Sequence, residues 1–381
     1  MLPFFFASFL AFGVVLVLPG VHQAELARAL SLDLSRSGLL ASALSAGLGV
    51  GVVGAGPLFD RLRRRPLFVA SLGIAAAALL SVRAEMPFAR WLLHVAATGL
   101  GIGAYDTLIN ASVAERYRER AARPMSLVHA AATLGAMSGP LLAVWLDARG
   151  GFVASFHALG AAHLALAAWA LLVAFPDPVR RESDMTQSGV DSTSASSAVA
   201  CAVLPFAAVG FAYVGVETSL TMFAVPYAGA HGLPETRGGS AISAFWLGLL
   251  AGRLGVLALP VALGTRTICA AGALGAAALL GGVSLRIGVV EATFLATGMA
   301  LGCVYPLMIA LVGQRVPDAR GLAAGLAAGA AAAGGAAVPW LTGSLGDALG
   351  VSGALASLAG WCAVIAGAAA LARGVRQAGA P

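Results

Sequence analysis

Apolar runs of about 20 residues recur along this chain, and they constrain its fold more than any other feature. Such a run is long enough to cross the hydrocarbon core of a bilayer as a helix. Of the 381 residues, 59% are hydrophobic and only 10% are charged, whereas a soluble domain of this size needs far more charge on its surface. The runs are continuous and lack the period-two alternation of a barrel strand. The sequence therefore predicts an all-α polytopic membrane protein.

Twelve such runs can be placed. The first has no basic residue ahead of it and no clear cleavage site after it, so it is interpreted as a retained helix rather than a signal peptide. The predicted spans cover residues 3–27, 36–59, 67–83, 90–113, 125–147, 151–175, 198–224, 238–262, 267–284, 288–312, 321–344 and 350–372.

The chain also resembles itself at a shift of 199 positions. Thr98 then falls on Thr297, Gly49 on Gly248 and Pro140 on Pro339. An internal repeat in so hydrophobic a chain is typical of transporters built from two similar halves with a site between them. The sequence predicts six-helix halves at 1–175 and 198–381, joined by a flexible cytoplasmic linker, 176–197, rich in Ser, Pro and Asp. At this shift Asp106 corresponds to Tyr305, and Gly54 to Arg253.

The arginine distribution predicts the orientation, because the chain has no lysine and all 23 basic residues are Arg. By the positive-inside rule, both termini are predicted to be cytoplasmic. The expected location is a bacterial inner (plasma) membrane. The net charge of +6 then reflects topology and contact with anionic lipids, not nucleic acid. Fifteen arginines fall on the cytoplasmic side: Arg61, Arg63, Arg64, Arg65, Arg116, Arg118, Arg120, Arg123, Arg180, Arg181, Arg266, Arg315, Arg320, Arg373 and Arg376.

The loop after the second span carries a recognisable motif. Its sequence, GPLFDRLRRR from Gly56 to Arg65, resembles the Gly-x-Leu-x-Asp-Arg-x-Gly-Arg-Arg loop of the major facilitator superfamily, with Arg63 in place of Gly. The resemblance implies twelve helices in two pseudo-symmetric halves. An acid here can lie at the positive N-terminal end of a helix in the other half. The predicted cytoplasmic gate comprises Gly56, Asp60, Arg61, Arg64 and Arg65; the alternative is a loop that only sets topology.

The fourth span narrows the resemblance. Its GIGAYDTLIN segment, residues 101–110, is similar to a Gly-x-Gly-x-x-Glu/Asp-Thr-x-x-Asn segment of the fucose:proton symporter group. Asp106 and Asn110 are four residues apart and share one helix face. An acid inside a membrane is costly unless it faces a water-filled cavity or is protonated, so Asp106 is predicted to couple transport to protons.

Runs in the seventh, eighth and eleventh spans resemble the same group: YVGVETS at 213–219, FWLGLLAGR at 245–253, and PWLTG at 339–343. Glu217 is predicted as a second protonatable group, or alternatively as a partner of an outer polar residue. Arg253 cannot lose its charge and needs a partner. We expect it to pair with Asp106, directly or through water, in one conformation.

Further polar and aromatic residues are candidates for substrate contact. His129 can relay protons, while Tyr105, Tyr213, Tyr305 and Trp340 can line a polar-aromatic pocket. Packing is the alternative for each of them, since aromatic and neutral histidine side chains also fill helix interfaces. The predicted substrate-binding set is Asn110, Tyr105, Tyr213, Tyr305, Trp340, His129 and Arg253.

The predicted function is secondary active transport of a small polar organic solute, with a sugar as the first candidate, by proton symport. The Gly135–Pro140 segment resembles an antiporter element but is interpreted as helix packing. The alternatives are a proton-coupled exporter of hydrophobic or drug-like compounds, and a sensor that does not transport. No catalytic pair, metal cluster or cofactor loop stands out, so we expect no enzyme activity and no cofactor. The expected partners are substrate, protons and membrane lipids, with the protein a monomer.

Overall fold

The computed structural model describes residues 1–175, 192–258, 264–283, 290–315 and 320–372, and within them the regular elements are all helices. The long helices agree with the predicted all-α membrane fold, and nine segments in this part of the chain are long and apolar enough to span a membrane. The α-helices are α1 (Leu2–Val21), α2 (Gln23–Leu30), α3 (Leu34–Arg61), α4 (Arg64–Leu80), α5 (Phe88–Tyr117), α6 (Ala122–Gly150), α7 (Val153–Leu172), α8 (Ser192–Ala230), α9 (Glu235–Gly255), α10 (Thr265–Val283), α11 (Val290–Leu301), α12 (Val304–Arg315) and α13 (Arg320–Leu371).

Two breaks and one join distinguish these helices from the predicted spans. The first span is divided at His22 into α1 and α2, and the tenth is divided between α11 and α12. The last two spans are joined in α13, where Gly350, at φ 75° and ψ 163°, interrupts the helix. Helix α8 begins at Ser192, inside the predicted linker, and the linker residues 176–191 lie outside the described residues.

The described helices form two bundles, each with its own apolar core. One core contains buried side chains from α1 to α7, such as Phe68 and Trp91. The other is formed mainly by α8 to α13, with Phe245 and Phe294 among its members, and includes a few residues of the first bundle. Each half therefore buries its own apolar faces.

Paired glycines repeat the same helix crossing in both halves. A Cβ on Gly99 or Gly103 would overlap a carbonyl oxygen of α3, and a Cβ on Gly298 or Gly302 would overlap one of α9. Small residues allow helix backbones to approach this closely. The reciprocal glycines are Gly47 and Gly51 on α3, and Gly248 and Gly252 on α9.

The crossings correct the predicted correspondence between the halves. Helix α5 maps to α11 at the shift of 199, but Gly47 of α3 corresponds in its contacts to Gly248 of α9, a shift of 201. Gly49 is therefore not the equivalent of Gly248, and the residue equivalent to Arg253 is Val52, not Gly54. The sequence comparison missed this offset because glycines two residues apart align almost equally well.

The two halves touch each other at two contacts that are equivalent to one another. Gly38 of α3 packs its Cα against the carbonyl oxygen of Pro339 in α13, and a Cβ on Gly239 of α9 would lie 3.3 Å from Cβ of Pro140 in α6. The two contacts are related by the pseudo-two-fold axis. Both lie toward the end of the molecule that carries Asp347, which we call the Asp347 end; the opposite end is called the Asp60 end.

Polar contacts reinforce the closure at the Asp347 end. Asp347 of α13 accepts hydrogen bonds from the backbone N–H groups of Leu34 (2.8 Å) and Ser35 (3.1 Å) at the start of α3. An acid is stabilised at such a positive helix terminus. The same terminus is capped by Asp33, and the bond from the N–H of Arg36 holds the pKa of that carboxyl below its usual value.

Toward the Asp60 end the same two helices diverge. Cβ atoms added to Gly54 and Gly329 would meet nothing within 4 Å, and Val53 is 66% exposed. A cavity of about 480 Å³ lies at this divergence, lined by Ser45, Ala46, Gly49, Val50, Val53, Gly54, Gly329, Ala332, Ala333 and Ala336. Among the described residues, this conformation is therefore closed at the Asp347 end and open between α3 and α13 toward the other end.

Candidate functional site

A chain of three polar side chains links α5 to α6 in the N-terminal half. Asn110 donates a hydrogen bond from Nδ2 to Oδ1 of Asp106 (2.8 Å), because residues four apart lie on one helix face. The Oδ1 atom of the same amide lies 3.1 Å from Nε2 of His129. Asp106 and Asn110 are half-buried, whereas His129 is exposed. The structure thus brings together three predicted site residues, with the imidazole at the accessible end.

Arg253 reaches across to the same region from α9. Its Nη1 donates to Oγ1 of Thr133 in α6 (3.1 Å), and its Nε donates to the carbonyl oxygen of Gly302 (3.3 Å). The carbonyl of Gly302 is available because the helix is broken between α11 and α12. The expected contact between Arg253 and Asp106 is absent from the ion pairs of the described residues in this conformation.

Two stacked tyrosines complete the centre on the C-terminal side. The rings of Tyr213 and Tyr305 lie 5.4 Å apart at 20°. Tyr305 is within electrostatic range of both Asp106 and Glu217, and Glu217 is within range of Arg253. Asp106 and Tyr305, related by the shift of 199, therefore lie near each other, as residues close to a pseudo-two-fold axis must.

Two of the predicted substrate contacts lie elsewhere. The Tyr105 side chain is fully buried in the N-terminal core; its hydroxyl lies 3.3 Å from the carbonyl oxygen of Ser8 and 3.2 Å from Nε2 of His163. Trp340 is 44% exposed and follows Pro339 at the closed contact. In this conformation Tyr105 is a packing residue without access to a substrate.

The sequence matches the Major Facilitator Superfamily over residues 4–290. The chain belongs to this superfamily. Among solved structures it is similar to a bacterial homologue of the human lysosomal transporter Spinster, in an inward-facing and occupied conformation, at a TM-score of 0.73 and 16% identity, covering 97% of this chain and 96% of that one. No curated protein matches the chain.

Two other superfamily structures share the fold. The E. coli fucose:proton symporter matches at a TM-score of 0.67 and 19% identity, covering 98% of each chain. The nucleoside transporter NupG matches at a TM-score of 0.74 and 14% identity, covering 97% of each chain. Identities this low show a common fold, with the twelve helices in two halves.

The superfamily loop at the Asp60 end is anchored within its own half. Arg64 is 4% exposed; its Nη2 lies 2.6 Å from Oε2 of Glu115 at the end of α5, and its guanidinium stacks 4.4 Å from the ring centroid of Phe59. Arg65 donates to the carbonyl oxygen of Val173 (3.3 Å). Arg64 therefore fixes α4 to α5 rather than reaching the other half.

The remaining gate residues are less constrained. Arg61 is exposed and a Cβ on Gly56 would meet nothing within 4 Å. The side chain of Asp60 lies outside the described residues, so the predicted gate stays a prediction. The arrangement expected for Asp60, an acid at a helix N-terminus of the other half, occurs instead at Asp347.

Sequence reasoning missed Thr133, Glu115 and Asp347. Each acts through a partner on another helix, and one sequence gives no signal for such pairing. A group of three residues with metal-ligand chemistry, His22, Glu25 and Asp147, was also missed; it lies at the Asp347 end, outside the central site.

Proposed function

We propose that this protein is a proton-coupled secondary active transporter of a small polar organic solute, working by alternating access. The observation that carries the proposal is the hydrogen-bonded chain from exposed His129 through Asn110 to half-buried Asp106. An acid within the membrane is retained for function when it faces an accessible cavity. This chain gives the carboxyl such access.

The conformation supports a rocking mechanism. If the Arg-rich side is cytoplasmic, as the positive-inside rule predicts, the cavity between α3 and α13 opens to the cytoplasm and both termini are cytoplasmic. Transport then requires the Gly38–Pro339 and Gly239–Pro140 contacts to separate while the Asp60 end closes. The site near the pseudo-two-fold axis becomes accessible from the other side.

Proton coupling requires that the proton bind the two conformations with different affinity. Asp106 lies near Tyr305 of the opposite half, and Arg253 bridges to Thr133, so rocking changes the surroundings of both charged groups. In the proposed cycle, protonation of Asp106 neutralises the site, and Arg253 exchanges Thr133 for a carboxylate or the substrate.

The proposed substrate contacts are Asn110, His129, Tyr305 and Arg253, whereas Tyr213, only 2% exposed, supports Tyr305 by ring stacking. The hydroxyl, amide, imidazole and guanidinium groups of the four contacts can hydrogen-bond a polyhydroxylated or anionic solute, and the ring of Tyr305 can contact its apolar face. This favours a sugar-like or acidic polar solute.

Export of apolar compounds is the second candidate. The cavity at the α3–α13 divergence is lined almost entirely by Ala, Gly and Val, which offer no hydrogen bonds to a polar solute. Under this alternative, the same proton site drives efflux of the compound from that cavity.

A proteoliposome assay with an imposed pH gradient tests the function. We expect uptake of one sugar or organic acid from a screened set to carry protons, reported by an internal pH dye. Asp106→Asn should abolish the proton flux and slow uptake at least tenfold, because an amide does not bind a proton in the pH range of the assay. Glu119→Gln, an exposed acid at the Asp60 end, is the matched control and should behave as wild type.

The result that contradicts this function is solute flux without proton movement, or unchanged coupling in Asp106→Asn. Proton-driven efflux of an apolar dye, with no polar solute transported, would establish the second candidate instead.

A further inference from the structure

Three residues with metal-ligand side chains converge at the Asp347 end of the N-terminal half. His22 lies at the junction of α1 and α2, Glu25 lies in the first turn of α2, and Asp147 is near the end of α6. One ligand atom from each lies within 4.8 Å of the other two. The break between α1 and α2 creates this arrangement, because a continuous helix would carry Glu25 away from α6.

Within the part of the chain that the structure describes, the buried polar atoms of this cluster lack hydrogen-bond partners. His22 is 1% exposed, and neither of its ring nitrogens makes a hydrogen bond to a described residue. Oε2 of Glu25 is also buried without a partner. A buried polar group without a partner costs about 1–3 kcal/mol, so three such atoms in one place need an explanation.

The spacing fits a small divalent cation. Nδ1 of His22 lies 3.5 Å from Oδ2 of Asp147, and no hydrogen bond is formed between them. Two ligands bound tetrahedrally to Zn²⁺ at about 2.0–2.1 Å are separated by about 3.3–3.4 Å. The imidazole and the carboxylate are thus almost at the separation that a shared metal ion imposes, and a carboxylate oxygen of Glu25 lies within 4.8 Å of both.

The surroundings resemble the second shell of a metal site. Ser155 of α7 donates a hydrogen bond from Oγ to Oδ1 of Asp147 (2.9 Å), which leaves Oδ2 directed at the imidazole. Ligating carboxylates are commonly held by such an outer partner. Phe152 and Phe156 flank the imidazole with ring centroids at 6.1 and 5.5 Å.

We propose that His22, Glu25 and Asp147 form a binding site for a first-row divalent cation of the Zn²⁺ type, with water in the remaining position. Imidazole and carboxylate ligands suit Zn²⁺, Co²⁺ and Ni²⁺ and disfavour Mg²⁺, which requires near-octahedral oxygen coordination. A cation bound here would be held by the carboxylates of Glu25 and Asp147 and by the neutral imidazole of His22.

The position of the site connects it to the closure between the halves. Arg28, three residues after Glu25, pairs with Glu235 of α9 at 2.7 Å. Glu25 is itself within electrostatic range of Glu235. A cation bound to Glu25 reduces the repulsion between these two acids and thereby stabilises the closed Asp347 end.

Binding of ⁶⁵Zn²⁺ to the purified full-length protein, freed of any affinity tag and treated with a chelator, tests the site. We expect about one Zn²⁺ per chain by equilibrium dialysis, and Co²⁺ in its place should give the visible absorption of a four-coordinate ion. His22→Gln should weaken binding at least tenfold. His94→Gln is the control and should bind as wild type, because Nδ1 of His94 is hydrogen-bonded to the carbonyl oxygen of Arg90 in its own helix (2.7 Å) and His94 is outside the cluster.

Asp147→Asn is the second variant, should His22→Gln not fold. In wild-type protein Zn²⁺ should raise the thermal unfolding midpoint, and in either folded variant it should not. Substoichiometric binding to wild type, or equal affinity in wild type and in a folded variant, would overturn the proposal. The assay measures binding in the absence of transport, so its outcome is independent of the proposed function.

Discussion

Arg253 carries a permanent charge, yet its described hydrogen bonds in this conformation go to the neutral oxygens of Thr133 and Gly302, with Glu217 within electrostatic range but not in an ion pair with it. A half-buried guanidinium is stabilised more strongly by a carboxylate or an anionic ligand. Because it lies on one half and Thr133 on the other, separation of the halves breaks this bond. The residue is therefore placed to change partner during transport.

Replacing Arg253 should slow transport without unfolding the protein. We expect Arg253→Gln to reduce the initial uptake rate at least tenfold and to alter its pH dependence. Thr133→Val, which removes one neutral partner worth about 1 kcal/mol, should change the rate about fivefold or less. The two variants and the wild type are compared by their initial uptake rates in proteoliposomes at several pH values.

Arg266→Gln is the matched control for this prediction, because Arg266 is exposed at the start of α10. If Arg253→Gln transports at the wild-type rate with the wild-type pH profile, the residue has no part in coupling.

At this scale the sequence predicted contacts within one helix better than contacts between helices. The spacing of Asp106 and Asn110 gave their shared face, and their hydrogen bond follows from it. The partner of Arg64 could not be predicted, because Glu115 lies 51 positions later on another helix and many acids were available. For the same reason the sequence did not indicate that Arg253 bonds to Thr133 in this conformation.

Helix ends were predicted less well than helix existence. The apolar runs gave the long helices because span length is set by the bilayer. The break at His22 is marked in the sequence, because the apolar run ends at Pro19-Gly20-Val21 and gives way to the polar segment HQAELAR, but the predicted span 3–27 continued through it. The break between α11 and α12 lies at Gly302, and glycine is common inside membrane helices, so it is a weak signal. The join of the last spans in α13 reflects Gly350, which turns the chain without a loop.

The helix crossings explain where small residues are required. Gly51→Ala should lower the thermal unfolding midpoint, because its Cβ would overlap the carbonyl oxygen of Leu100 and overpacking costs about 1–3 kcal/mol. Gly54→Ala, one turn later on the same helix, meets open space and should be neutral or stabilising by about 0.5–1 kcal/mol.

Both variants are heated in the same detergent, and their thermal unfolding midpoints are compared with that of the wild type. Equal midpoints for the two alanine variants would show that the α3–α5 contact tolerates a methyl group and that the crossing is looser than described.

For the whole molecule, the balance between the two conformations depends on the contacts at the Asp347 end. Asp347→Ala removes an acid from the N-terminus of α3, an interaction worth about 0.3–1 kcal/mol. We expect the fraction of molecules whose two halves are separated at this end to rise about two- to fivefold. Distances between spin labels at Glu85 and Leu349, both exposed and on opposite halves, report the change.

Ser344→Ala is the control for this experiment, since the described hydrogen bond of the Ser344 hydroxyl stays within its own helix, to the carbonyl oxygen of Trp340 (3.0 Å). A distance distribution that is the same in Asp347→Ala, Ser344→Ala and the parent protein would show that the cap does not hold the halves together.

The offset between the two glycine crossings bears on how the halves diverged. From Gly51 to Gly99 the chain is two residues longer than from Gly252 to Gly298, although these four glycines make equivalent contacts. If both halves derive from one duplicated ancestor, an insertion or deletion of two residues occurred in α4 or α10 or their loops while the crossings on either side were retained. Arg253 then occupies a position that is Val52 in the other copy, so the two halves have come to differ in charge at equivalent places in an otherwise repeated crossing.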